Sequence, residues 1–130
     1  MRPAELTTSA LAACAALLAG CGESEEPVPQ VLRLSVETAP GVIEFDKKRL
    51  TARAGRIAFE LTNGRRRGHN IHIHTGDTRC FGPGWKDIGG TRTIGTGRTR
   101  AVVDLEPGTY TYLCSAGGHW RTQPGTLVVR

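Results

Sequence analysis

The sequence predicts an all-β domain, a Greek-key β-sandwich of about eight strands, on three observations. From Val31 onward the chain falls into short runs that alternate apolar and polar residues, the period of a strand with one buried face. Seventeen Gly and seven Pro in 130 residues break those runs with turn signals. No run in the domain carries a helical period.

The strands follow in order. Leu32, Leu34 and Val36 alternate with Arg33, Ser35 and Glu37, which predicts a strand over Val31 to Glu37. Val42 to Asp46 and Arg49 to Ala54 are expected next. In Arg56 to Thr62 the apolar residues Ile57, Phe59 and Leu61 recur at every second position. Asn70 to His74, Thr99 to Leu105, Thr109 to Cys114 and Thr126 to Arg130 complete the set, and antiparallel pairing is expected throughout. Only three Phe, two Tyr and two Trp are present, so Val, Ile and Leu must build most of the core. Thr75 to Gly97 is Gly-rich and predicts a long loop or a short helical turn. Leu105-Glu106-Pro107-Gly108-Thr109-Tyr110 resembles the tyrosine corner of sandwich proteins, where a Tyr hydroxyl bonds back to the backbone between sheets.

The amino terminus is organised differently. Residues 1–20 carry Arg2 and then a small-residue apolar run from Ala10 to Gly20, too short and too rich in Ala to span a bilayer. This is the layout of an export signal. It ends in Leu18-Ala19-Gly20-Cys21, which resembles the lipobox of bacterial lipoproteins and implies that Cys21 is lipidated and begins the mature chain. Residues 21–30 are acidic, contain Pro and have almost nothing to bury, so they read as a flexible tether. The folded domain is expected over 31–130, anchored to a membrane outside the cytoplasm, on a periplasmic or outer face of the cell envelope.

The formal charge is +5, and Arg65-Arg66-Arg67 is the one basic triplet. No nucleic-acid motif accompanies it and no aromatic residue alternates with it, which argues against a nucleic-acid partner. A run of this size reads as a solvated loop or as a docking patch for an acidic redox partner.

All four His of the chain lie in two segments, Gly68-His69-Asn70-Ile71-His72-Ile73-His74 and Cys114-Ser115-Ala116-Gly117-Gly118-His119. A thiol gathered with imidazoles points to zinc or copper. Zinc sites in small domains show tight Cys/His pairs, whereas one Cys with two distant His is the inventory of a trigonal blue-copper site. These segments resemble the cupredoxins, relatives of plastocyanin and azurin. In that family one His precedes an Asn at the end of a mid-chain strand, and Cys, His and Met follow on the loop between the last two strands. His69-Asn70 is similar to the first element. Cys114 and His119, after Gly108-Thr109-Tyr110-Thr111-Tyr112-Leu113 and before Pro124 to Val129, are similar to the second. The resemblance spans the domain from Val31 to Arg130. It implies one Cu(I)/Cu(II) ion held by His69, Cys114 and His119, with Asn70 hydrogen bonded to Ser115 behind the ligands.

The family's axial Met is missing, because Met1 is the only methionine. Gln123 stands in its slot, with three residues between it and His119. An amide oxygen there is expected to favour Cu(II) and lower the potential relative to a thioether. His72 and His74 share a strand face that His69 does not, so they read as half-exposed strand histidines or as a second metal site with Asp77 or Cys80. Once Cys14 is cleaved away and Cys21 acylated, Cys114 is the only intramolecular partner left for Cys80, and that bond would abolish the copper site. The reading that follows is a monomeric, membrane-anchored electron-transfer protein that serves a redox partner. Its alternatives are a copper-delivery protein and a metal-free structural module. An enzyme is not expected, because one short domain with four His lacks the further ligands of multidomain copper oxidases.

Overall fold

The computed structural model describes residues 26–39, 42–76, 82–121 and 124–130. Its strands are β1 (Gln30–Ala39), β2 (Val42–Phe45), β3 (Arg49–Ala52), β4 (Gly55–Asn63), β5 (His72–Thr75), β6 (Lys86–Gly90), β7 (Gly97–Leu105), β8 (Gly108–Leu113) and β9 (Gly125–Val129). A four-stranded sheet runs in the order β2-β1-β4-β7, and a five-stranded sheet in the order β3-β9-β8-β5-β6.

The alternation in the sequence becomes the sandwich core. Ile57, Phe59 and Leu61 of β4 are fully buried in one cluster with Ile73, Tyr112 and Leu127 of the other sheet and with Ile71 just before β5. Leu34, Val103, Leu105 and Val129 extend the same cluster. The outward positions are charged: Arg33 and Arg100 reach Glu60 across β1, β4 and β7 at 3.0 and 3.8 Å. The turn before β8 is the tyrosine corner, with the Tyr110 hydroxyl donating to the Glu106 carbonyl at 2.8 Å. Buried Tyr112 donates to the Lys47 carbonyl at 2.5 Å, tying β8 to the turn before β3, and burial pushes its hydroxyl pKa up to about 12.

Three expectations are corrected. The pairing is not wholly antiparallel, because β1 runs parallel to β4 and β3 parallel to β9. The stretch expected to be irregular contains a ninth strand, β6, paired antiparallel with β5. Its Gly90 is required by close approach, since a Cβ there would meet the Ile71 carbonyl oxygen at 2.1 Å. Strand β5 begins at His72 rather than Asn70, because His69 is engaged in a bridge with Ile94 instead. After β8 the chain makes a short 3₁₀ segment, Ala116–Arg121, kinked where Gly117 and Gly118 take positive φ. No helix among the described residues is long and apolar enough to cross a membrane.

The two faces of β4 and β7 should respond differently to truncation. Ile57→Ala removes a fully buried side chain and is expected to destabilise the fold by about 2–5 kcal/mol. Val102→Ala, on an exposed position of β7, should stay within about 0.5 kcal/mol of the parent. Urea unfolding of the two variants checks both values, and equal losses would contradict this assignment of the core.

Candidate metal centre

Three chain segments meet at one end of the sandwich. The first, Gly68 to Ile71, leaves β4 and is fixed by paired backbone hydrogen bonds between His69 and Ile94, at 2.9 and 3.0 Å. The second, Thr91 to Ile94, follows β6. The third begins where β8 ends and carries Cys114 into the 3₁₀ segment, whose kink at Gly117-Gly118 turns the chain before His119.

His69, Cys114 and His119 are all buried, and their donor atoms lie within 4.8 Å of one another. The Cys114 Sγ stands 3.7 Å from His69 Nδ1 and 3.6 Å from His119 Nδ1. The two rings stack, with centroids 4.7 Å apart and planes inclined by 26°. Bonds of about 2.0 Å to nitrogen and 2.3 Å to sulfur, meeting near 120°, would span about 3.7 Å between their outer ends. The donor spacing therefore fits a trigonal metal ion. Cys114 is a free thiol.

Asn70 holds the segments together. Its Oδ1 accepts from the Ser115 N–H at 2.8 Å, and its Nδ2 donates to Ser115 Oγ at 3.0 Å and Thr93 Oγ1 at 2.9 Å. Its own N–H points at Cys114 Sγ, 3.5 Å away. Thr91 Oγ1 accepts from the Ile71 N–H at 3.0 Å. Thr91, Thr93 and Ile94 are contributors that the sequence does not reveal, since nothing marks two threonines in a Gly-rich stretch as braces for the distant Asn70 and Ile71.

Burial sets the protonation of the donors. It pushes the Cys114 thiol above its ordinary range, and the N–H groups of Asn70 and Ala116 pull it only partly back. Burial first, then the charges of His119 and Arg67, hold His69 below the usual imidazole range. His119 is lowered by burial and then by Arg67. The metal-free centre thus favours a neutral thiol and two neutral imidazoles.

His72 and His74 form a separate group with Asp87. Neither joins the three buried donors. Asp77, Cys80 and Gln123 lie outside the described residues, as does Cys21 with the whole of 1–25. Arg65, Arg66 and Arg67 are exposed in the loop just before His69.

Two pH effects follow for the metal-free chain. The folded-state values of His69, His74 and His119 lie below the unfolded value near 6.5. The unfolded chain therefore gains protons first as pH falls, and the stability present above about pH 6.5 is lost below it. Urea midpoints should hold nearly level from about pH 7.5 to 6.5 and drop from there to about pH 5.5, and a flat profile throughout would contradict the buried neutral imidazoles. A metal bound through Cys114 must also displace the thiol proton. Its affinity should rise about tenfold per pH unit above neutrality until the thiol ionises by itself, read by calorimetry in buffers of different ionisation heat.

No family model matches the chain, and no curated protein matches it. Solved structures do. Auracyanin A, a "blue" copper protein from the green thermophilic photosynthetic bacterium Chloroflexus aurantiacus, is 22% identical with a TM-score of 0.61, over 79% of this chain and 100% of that one. The dithionite-reduced auracyanin of the photosynthetic bacterium Roseiflexus castenholzii is 21% identical with a TM-score of 0.64, over 80% and 99% of the two chains. Auracyanin B is 19% identical with a TM-score of 0.60, over 81% and 92%. With its two packed sheets superimposing over nearly the full length of these blue copper proteins, the chain has the cupredoxin fold.

Proposed function

We propose that this protein is a copper-dependent electron carrier, with one type 1 copper ion held by His69, Cys114 and His119 and by Gln123 as a weak axial ligand. The observation that carries the reading is the pair of Nδ1 atoms facing one buried sulfur at 3.6 and 3.7 Å. The fold shared with auracyanin A, a blue copper protein, supports it. Copper supplies a one-electron Cu(I)/Cu(II) couple.

The chain's own residues give that couple its setting. His69 is fixed by the bridge to Ile94, and Cys114 follows directly on β8, so neither donor rests on a free loop. Donors held this way move little between oxidation states, which favours fast transfer. The Asn70 N–H directed at the sulfur withdraws electron density from it and favours the reduced ion. Gln123 works in the opposite direction, because an amide oxygen stabilises Cu(II) better than a thioether does. The exposed Arg65-Arg66-Arg67 loop next to His69 suits an acidic face on a redox protein partner. The carrier is, on this reading, a monomer anchored by a lipid on Cys21 after export, on the outer side of a membrane, with residues 22–29 as its tether. On this reading the protein is not an enzyme.

Adding Cu(II) should produce an intense visible thiolate-to-copper band that Cys114→Ser abolishes and Cys80→Ser leaves in place. A colourless protein that retains metal with both thiols free would favour copper delivery instead. In the copper-loaded chain, Gln123→Met should raise the reduction potential measured by voltammetry. An unchanged or lower potential would remove Gln123 from the axial position.

A further inference from the structure

The outer face of β5 and β6 carries a second group of donors that the buried centre does not use. His72 Nδ1 and Asp87 Oδ2 are 2.9 Å apart across the two strands, and His74 Nε2 lies 3.9 Å from Asp87 Oδ1. One ligand atom from each residue falls within 4.8 Å of the other two. His74 is the unusual member. Its side chain is only 5% exposed, yet neither ring nitrogen has a hydrogen-bond partner among the described residues. A buried polar ring in that condition carries an uncompensated desolvation penalty unless something binds it. Burial also lowers its pKa, so it presents a neutral ring with a free lone pair.

The surroundings suit a cation. Trp85 packs its ring edge-on to His74, with centroids 4.9 Å apart, and walls one side. Asp87 and His72 are 41% and 25% exposed and leave the other side open to water. The β-bulge between Ile73 and His74 shifts the β5/β6 register so that Asp87 lies opposite His74.

We propose that His72, His74 and Asp87 form a second, exchangeable site for a divalent cation of the zinc or copper(II) kind. Two imidazoles and one carboxylate select such borderline ions, and the absence of sulfur from this donor set disfavours Cu(I). Three protein ligands with an open, solvent-facing position give exchange rather than permanent structural binding. The site does not depend on the electron-carrier reading.

Calorimetric titration with Zn²⁺ alone tests it in the full chain. Cys114→Ala disables the buried centre and should still bind one Zn²⁺. Adding Asp87→Ala or His72→Ala to that variant should weaken binding by at least about tenfold, the loss that even an outer partner of a ligand can cause. Both added changes are at partly exposed positions, and circular dichroism confirms that the variants are folded. In the unmutated chain Zn²⁺ should shift the ring ¹⁵N resonances of His72 and His74. No Zn²⁺ on Cys114→Ala, equal affinity in the double variants, or ring resonances that do not move would each overturn the proposal, whatever the visible band of the copper-loaded protein shows.

Discussion

The centre depends on a single side-chain amide. Asn70 spends both ends of its carboxamide on holding the segment that follows Cys114 and the segment that follows β6, while its backbone N–H meets the sulfur. Without that clamp, three loops would each have to hold their own position. A mid-chain turn, a Gly-rich return and a 3₁₀ turn have little local reason to keep one geometry. With it, the positional accuracy of the β-sandwich is passed to donors that lie outside regular strands. The clamp is itself well placed to persist, because Asn70 is buried and a broken amide bond there would leave polar groups unpaired away from water.

The sandwich supplies the rest by geometry rather than by chemistry. β8 lies between β5 and β9, so the residue that follows its last position emerges from an inner strand of the sheet with neighbours on both sides. Cys114 consequently belongs both to the hydrophobic core cluster and to the donor group. This double membership explains the raised thiol pKa. The core that fixes the sulfur also keeps it protonated until a cation displaces the proton.

Much of this was readable in the sequence, and the unread parts share one cause. The strands with a strong period of two, such as Arg56 to Thr62, stand where expected, and so does the tyrosine corner at Tyr110. The resemblance carried by His69-Asn70 and by Cys114 and His119 implied the same three donors that the structure brings within 4.8 Å of one another. What was missed is non-local. β6 reads Lys-Asp-Ile-Gly-Gly, with one apolar side chain and two glycines, so nothing local marks it as a strand. It exists because β5 offers it an edge, and Gly90 is there to let the two backbones approach. The parallel pairings of β1 with β4 and β3 with β9 likewise join segments whose own patterns say nothing of direction. Asp87 lies inside the stretch expected to be irregular, so nothing in the sequence pairs it with His72 and His74, whereas Asp77 and Cys80 stand next to them along the chain.

The same strand period that built the core also keeps the two donor groups apart. Ile71 and Ile73 turn into the sandwich, so His72 and His74, alternating with them, are turned to the other side. Cys114 and its two imidazoles are inside, where burial disfavours any charge that is not matched. The carboxylate is outside, where water can share its charge. A soft donor facing inward and a hard one facing outward would sort cations by softness. Shifting β5 by one residue would turn Ile73 outward and His72 and His74 inward. The register that the β-bulge, Gly90 and the His69–Ile94 bridge impose on this short strand therefore matters to both sites at once.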